Sequence, residues 1–405
     1  MMQKKYVHYP FLLLMTFLLS AGSMRAQELT LTDSATVSLL TVSAGDEIYA
    51  HYGHTAIRVQ DPVRKFDLVF NYGLFDFNSP NFLYRFVKGE TDYLCGVASF
   101  SDFIIEYQLY NRAVVEQVLN LKKAEKEQIW QALVKNIQPE NQSYRYNFFY
   151  NNCSTKPRDI IQNHLEGDLT YMWNPPFKTL REEIHFYTAQ HPWAQFGIDF
   201  LIGAEADKKA SLSDQQFAPS ILEASFAHAF VKEDTASNRP LVLETRQTVS
   251  IDPKMVEPPY SGPTPVVVFW ILFVLIAGLT MYESYKGIHL YAVTAVLYGI
   301  FGLTGSLIAF MVLFSEHPAT HQNYLLLWQN PFHLIFAIGM IFGCFRSKIM
   351  LPYLKINLIL QTIAIVGIFI FPQKLHPAMV PLLLMLFYRS ILGTKKALRL
   401  KKNYE

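Results

Sequence analysis

Charged residues are scarce in this chain, and acidic ones are nearly missing from its last third. Asp, Glu, Lys and Arg make up 17% of the 405 residues, while hydrophobic residues make up 51%. Residues 264–405 hold 3 acidic and 11 basic residues, whereas residues 27–263 hold 30 acidic and 21 basic ones. The acidic N-terminal part lacks the basic surface that nucleic-acid phosphates require, which argues against a nucleic-acid partner.

Long apolar runs fill the chain from Pro265 onward, and a bilayer is crossed by about 20 apolar residues per helix. Five transmembrane helices are predicted, near residues 264–282, 289–314, 324–345, 353–371 and 377–393. The last of them is short and contains Pro381. If the first helix enters from outside, Lys286, Arg346 and Lys348 lie in inner loops, and the outer loops hold only Lys374. This arrangement satisfies the positive-inside rule.

The N-terminus has the pattern of a signal peptide over residues 1–26, with Lys4 and Lys5 before the run PFLLLMTFLLS and small residues up to Ala26. No cysteine follows it, so this protein is not itself expected to be a lipoprotein. An uncleaved membrane anchor is the alternative. The predicted order is then as follows: a domain at 27–249, a proline-rich linker at 250–263, membrane helices at 264–393 and a basic cytoplasmic tail at 394–405.

The domain at 27–249 mixes strand and helix patterns, which predicts an α+β fold. TAIRV, FDLVFNYG and DYLCGVAS alternate or are rich in β-formers. KKAEKEQIWQALVKNI has an apolar helical stripe formed by Trp130, Leu133, Val134 and Ile137.

Only three cysteines are present. Cys344 lies in an apolar helix, where packing is the simplest explanation. Cys95 and Cys153 would share an oxidising compartment, so a disulfide between them is one hypothesis. The alternative is that Cys153 is a nucleophile. Pro157 and the apolar spacing after it place a helix N-terminus at the cysteine, and free N–H groups there favour a thiolate and could bind an oxyanion.

His51 and His54, in HYGHTAIRV, are the candidate bases for this cysteine. Residues three apart on a strand point to opposite faces, so only one of them can serve a single site. An H-x-x-H pair without a third ligand is a poor zinc signal, and no metal or cofactor is expected.

HTAIRV followed by YNNCST resembles the circularly permuted papain-like superfamily, which includes lecithin:retinol acyltransferase. The closer resemblance is to the Lnb family of bacterial lipoprotein N-acyltransferases. It is carried by YGHTAIRV, FNYGLFDF, YNNCSTKPRD and the C-terminal helices with SEHPATHQNYLLLWQNP. The resemblance implies a permuted papain-like periplasmic domain joined to about five helices in the bacterial inner membrane.

The resemblance also implies a reaction and its residues. Cys153 is the expected nucleophile, His54 its base and Asn71 the orienting residue, with Asn152 and Ser154 supporting the oxyanion. An acyl chain would pass from a phospholipid, through a Cys153 thioester, to the α-amino group of a diacylglyceryl lipoprotein. The expected substrate contacts are six polar residues: Tyr52, Tyr150, Glu316, His317, His321 and Asn323.

Two alternatives stay open at this point. A membrane-anchored cysteine hydrolase of cell-wall peptides would use the same Cys–His pair in a polar cleft. A non-catalytic membrane module would instead join Cys95 and Cys153 in a disulfide. For the loop that holds Glu316, His317, His321 and Asn323, the alternative to substrate contact is a solvated loop beside an interfacial aromatic belt.

Overall fold

The computed structural model describes residues 30–75, 79–232, 238–256, 258–342 and 347–404. The fold is α+β, as predicted, with a sheet-rich N-terminal domain followed by a helical C-terminal region. The predicted signal peptide, Cys344 and Arg346 lie outside the described residues.

Seven strands of the described chain form one antiparallel sheet in the order β10-β5-β1-β2-β3-β4-β6, and β7, β8 and β9 form a small second sheet. The strands are β1 (Thr36–Val42), β2 (His54–Asp61), β3 (Phe66–Leu74), β4 (Asp92–Ser99), β5 (Val114–Leu119), β6 (Ser143–Arg145), β7 (Asp168–Tyr171), β8 (Ala229–Lys232), β9 (Asn238–Pro240) and β10 (Val242–Val249).

Eight α-helices are described in this domain: α1 (Phe82–Lys88), α2 (Phe100–Leu109), α3 (Lys123–Asn136), α4 (Thr155–Asn163), α5 (Leu180–Tyr187), α6 (Pro192–Leu201), α7 (Leu212–Gln215) and α8 (Pro219–Ala227). They cover both faces of the central strands. Ile57 of β2 packs in the cluster that contains Trp130 of α3, whereas its neighbour Ala56 packs in the cluster that contains Phe103 of α2. Successive strand residues point to opposite faces, so His54 shares the α2 side with Ala56.

The C-terminal region contains α9 (Pro265–Lys286), α10 (Tyr291–Phe314), α11 (Phe332–Ile341), α12 (Ser347–Gly367) and α13 (Met379–Tyr404). Within the described residues, α9, α10 and α12 are long and apolar enough to cross a membrane. The short helices over 318–327 and α11 make a fourth span only if this pair, bent by 46°, counts as one. The bend falls where Pro331 supplies no backbone N–H to continue a helix.

Three to four spans are therefore supported, and the predicted five are not confirmed. The fifth candidate, α13, is interrupted by charge, because Arg389, Lys395 and Lys396 all lie in it. Arg389 is fully buried and its Nη1 lies 2.6 Å from Glu283 Oε1 on α9. A paired charge of this kind is far less costly inside a helix bundle than an isolated one.

The loop between α10 and α11 packs on the N-terminal domain. The Glu316 amide donates to the Lys88 carbonyl at 2.8 Å, and the Glu316 carboxylate pairs with Arg145 at 3.0 Å. Further along, the Gly203 amide donates to the Ala319 carbonyl at 2.7 Å. The predicted headgroup-contact loop is thus an interface between the two parts of the chain, because its polar groups are bonded to protein.

Candidate active site

The paired strands β2 and β3 bring His54 and Asn71 together. Ala56 and Asn71 are cross-strand partners, and His54 lies two residues before Ala56 on the same face. The His54 Nε2 lies 3.0 Å from the Asn71 Oδ1. An amide oxygen only accepts, so Nε2 carries the ring proton and Nδ1 remains as the basic nitrogen.

Cys153 stands directly before the N-cap residue of α4, as the sequence predicted. Asn152 fixes this turn, because its Oδ1 accepts from the amides of Ser154 and Thr155, each at 2.9 Å. Both amide hydrogens of Asn152 are also used, by the carbonyls of Phe148 and Phe217. Its side chain therefore supports the Cys153 turn and is not available to an oxyanion.

Ser154 has the same kind of role. It is fully buried, and its hydroxyl donates to the Gln216 carbonyl at 2.8 Å. The bond ties the N-terminus of α4 to the segment before α8. Ser154 holds the cysteine turn in place and does not face a reacting group.

Cys153 approaches the strand pair closely. A Cβ built on Gly73, two residues after Asn71, would lie 3.4 Å from the Cys153 Cβ. The amide of Thr55, which follows His54, and the amide of Cys153 itself both favour the thiolate form of the sulfur. The structure thus brings the cysteine to the start of β2, beside the candidate base.

Burial sets the protonation of both groups. It raises the pKa of the Cys153 thiol to about 11, and the Thr55 amide, the Cys153 amide and Arg112 only partly oppose this effect. Burial likewise lowers the pKa of His54 to about 4, although the Asn71 hydrogen bond favours the charged ring. The predicted lowering of the Cys153 pKa is wrong, because desolvation outweighs the amides and the Arg112 charge that favour the thiolate.

Arg112 and Tyr107 complete the surroundings, and the sequence did not single out either. The Tyr107 ring stacks beside the His54 ring at 6.5 Å, and the Arg112 guanidinium lies 5.1 Å from the Tyr107 ring centroid. Arg112 Nε and Nη2 both donate to the Ser43 carbonyl. A positive charge held near a thiol and an imidazole stabilises the thiolate and disfavours the imidazolium. Only the return of β5 alongside β1 brings Arg112 here, so no local motif could reveal it.

His51 belongs to a different environment. It lies in the turn after the 3₁₀ helix Ile48–Ala50, ahead of β2, so the turn and not strand alternation sets its direction. Its Nε2 donates to the Asp46 carbonyl at 2.9 Å, and its ring stacks on His191 at 3.7 Å. Burial lowers the pKa of His51. It is a packed structural histidine.

Most of the predicted substrate contacts are bonded within the protein. Tyr52 is buried in the cluster that contains Phe217, whereas Tyr150 is exposed. His317 Nε2 donates to the Phe86 carbonyl at 2.8 Å. His321 Nε2 lies 3.3 Å from the Ser315 carbonyl, and the Asn323 amide donates to the carbonyls of Phe200 and Leu201. With Glu316 paired to Arg145, the loop residues hold the domain on the helices.

The disulfide hypothesis does not agree with the structure, since Cys95 and Cys153 are both free. Cys95 is buried on β4, where desolvation raises its pKa to about 11. No group of three or more His, Cys, Asp or Glu side chains in the described part of the chain could hold a metal ion.

Two family models match this chain. The family described as the Lnb N-terminal periplasmic domain matches residues 24–184, which include His54, Asn71 and Cys153. The family described as the Lnb transmembrane domain matches residues 258–401. No curated protein and no solved structure matches the chain significantly.

Proposed function

This chain belongs to the Lnb family through both its periplasmic and its transmembrane domain, and we propose that it is a lipoprotein N-acyltransferase of the bacterial inner membrane. Phospholipid is the proposed acyl donor. The acceptor is the α-amino group of the lipid-modified N-terminal cysteine of a lipoprotein.

One observation carries the proposal: a cysteine at a helix N-terminus lies against the strand pair whose His54 and Asn71 are hydrogen-bonded at 3.0 Å. A nucleophile, a base and a residue that orients the base are the parts that covalent acyl transfer requires. The domain that holds them also packs on apolar helices that are long enough to cross a membrane.

In the first half-reaction, His54 Nδ1 accepts the thiol proton as the Cys153 sulfur attacks an ester carbonyl of the phospholipid. The carbon–oxygen bond then breaks, and His54 returns the proton to the leaving oxygen. Lysophospholipid departs and a Cys153 thioester remains. Because both groups are neutral at rest, proton transfer accompanies attack and does not precede it.

In the second half-reaction, the acceptor α-amine attacks the thioester carbonyl and transfers a proton to His54. The carbon–sulfur bond breaks, the sulfur recovers that proton, and an amide forms. The amides of Thr55 and Cys153, which both favour the thiolate, are the proposed donors to the oxyanion in each step.

The first prediction concerns the acyl-enzyme. The full-length protein, given labelled phospholipid without acceptor, should accumulate label that neutral hydroxylamine removes, as a thioester requires. Cys153→Ala should take up none, and His54→Ala should be slower by about a hundredfold or more, since it loses the general base. His51→Ala is the matched control and should retain most of the rate, because His51 bonds only to Asp46 and stacks on His191.

Discharge of the label identifies the acceptor. A diacylated lipopeptide with a free amine should take the label, and its N-acetylated counterpart should not. Hydroxylamine-labile label in Cys153→Ala would remove the nucleophile from the proposal. Cleavage of cell-wall peptides by the wild-type protein, without label from phospholipid, would favour the cysteine hydrolase instead.

A further inference from the structure

Helix α1 presents apolar side chains that the protein leaves uncovered. Leu83 is 73% exposed, Tyr84 57% and Phe86 42%. The helix follows β3, the strand that carries Asn71, so it lies on the same connection as the active site. Exposed apolar side chains grouped on one short helix indicate a contact with lipid or with another apolar surface.

A cleft of about 680 Å³ lies between α1 and the membrane helix α10. The cleft is open along its outer side, so it is a surface groove and not an enclosed cavity. Its lining contains no charged side chain: Asn81, Phe82, Leu83, Tyr84, Val87 and Phe310. Phe310 lies near the C-terminal end of α10, which leads into the docked loop, residues 315–331 between α10 and α11. The Phe310 ring lies 6.2 Å from the Tyr84 ring. The cleft is therefore continuous with the surface of a membrane span.

The cleft also leads toward the nucleophile through a row of aromatic rings. Phe82 lies 6.1 Å from Phe75, Phe75 4.9 Å from Tyr93, and Tyr93 4.0 Å from Tyr146, between ring centroids. Phe75, in this row, lies two residues after Gly73, where a Cβ would be 3.4 Å from the Cys153 Cβ. A row of aromatic rings thus connects the cleft at the membrane span with the end of β3 beside Cys153.

The docked loop fixes α1 in this position. The last carbonyls of α1 have no partner amide within the helix. They accept hydrogen bonds from the docked loop. The Ser315 hydroxyl donates to the Val87 carbonyl at 2.9 Å, and His317 Nε2 donates to the Phe86 carbonyl at 2.8 Å. The cleft is therefore formed before any substrate enters.

We propose that this cleft and the aromatic row hold the acyl chain that is being transferred, with its carbonyl carbon at Cys153 and its tail toward the membrane. The inference rests on the proposed acyltransferase function. An acyl chain attached to the sulfur must extend along an apolar surface. The aromatic row is the apolar surface that leads away from Cys153. The acyl chain stays in the cleft while it is bound as the thioester. The acceptor amine must therefore approach the thioester carbonyl from a side that the acyl chain does not occupy.

The test introduces a charge into the cleft and varies the chain length of the donor. Leu83→Asp should slow thioester formation from dipalmitoyl phosphatidylethanolamine vesicles by about tenfold or more, because an unpaired carboxylate is poorly tolerated beside an acyl chain. With soluble dihexanoyl phosphatidylethanolamine, whose short chains do not reach α1, the rate should stay within about twofold of wild type. Leu243→Asp is the matched control. Leu243 is 67% exposed on β10, the edge strand at the end of the sheet away from β3 and β4, which α1 connects.

A second variant narrows the cleft without adding charge. Val87→Phe should lower the ratio of dipalmitoyl to dihexanoyl labelling, as Leu83→Asp does. Equal rates with wild type on both donors, or an equal loss on both, would overturn the inference. Normal labelling with failed discharge to the lipopeptide would assign the cleft to the acceptor and overturn it as well. If the wild-type protein takes label from neither phospholipid, the proposed function itself fails.

Discussion

At the scale of single residues, Cys153 and His54 are both held neutral by burial. The thiol pKa is raised to about 11 and the imidazole pKa is lowered to about 4, so no thiolate–imidazolium pair exists at rest. Asn71 orients the ring through Nε2 and leaves Nδ1 free to act as a base. The low pKa of His54 keeps it unprotonated, and therefore able to accept the thiol proton, across the neutral range.

The pH dependence of thioester formation follows from this pair. His54 is active when unprotonated, so the rate should stay level from neutral pH down to about pH 5 and fall as the pH drops through about 4. An ordinary histidine would begin to lose activity near its usual pKa of about 6.5. Initial rates of labelling, measured in buffers of constant ionic strength, would show which curve applies. Return to pH 7 after acid exposure controls for unfolding, and a loss of rate near pH 6.5 would contradict the neutral-pair mechanism.

At the scale of elements, the fit between α4 and β3 depends on Gly73. The φ angle of Gly73 is +99°, which is unfavourable for a residue with a side chain. The register of β3 against β4 also shifts between Tyr72 and Leu74. The irregularity brings the strand within contact distance of Cys153, where a Cβ on Gly73 would lie 3.4 Å from the cysteine Cβ. A glycine here serves both the backbone conformation and the close approach.

Gly73→Ala should therefore lower both stability and the rate of thioester formation. The strained φ costs on the order of 1–3 kcal/mol, and the shifted strand displaces His54 and Asn71 relative to the sulfur. We expect the rate to fall by about tenfold or more, since misplacement of reacting groups by about 1 Å can cost up to about a hundredfold. Thermal unfolding and the labelling assay would measure the two effects.

The control for this substitution is Gly197→Ala in α6. A Cβ on Gly197 meets nothing within 4 Å, and its φ is not positive. Alanine is also the better helix former, so this variant should be as stable as the wild type or more so. If Gly73→Ala labels as fast as Gly197→Ala, the close approach at Gly73 does not matter to the chemistry.

At the scale of the whole molecule, the side on which each part of the chain lies depends on whether α13 crosses the membrane. Arg389 of α13 is buried, and its Nη1 donates to Glu283 and Thr280 of α9. Its Nη2 donates to the Thr294 hydroxyl of α10. The Glu283 carboxylate offsets the charge of Arg389, whereas Lys395 and Lys396 lie further along α13, toward the tail. We propose that α13 crosses the membrane. We also propose that the periplasmic domain, the linker and the membrane helices end near the predicted residues 249, 263 and 393.

Topology reporters fused after Glu257 and after Glu405 would decide this point. Five crossings place the two reporters on opposite sides, with the C-terminal one in the cytoplasm, where the Lys and Arg residues of the tail favour it. Reporters on the same side would mean an even number of crossings and would contradict the five-span topology. A fusion truncated after Gly367, before α13, tests the same step: on the five-span topology its reporter lies outside.

The sequence by itself determined the local features of this protein. The α+β class, the apolar C-terminal helices, the helix that begins just after Cys153 and the strand that contains TAIRV all follow from short-range patterns. Capping, alternation and hydropathy act between near neighbours. Only the tertiary structure decided how the parts meet. It placed Arg112 beside the site, turned the loop at Glu316 into an interface and set the pKa values of Cys153 and His54 through burial. Burial depends on residues far apart in the chain, so no local pattern records it.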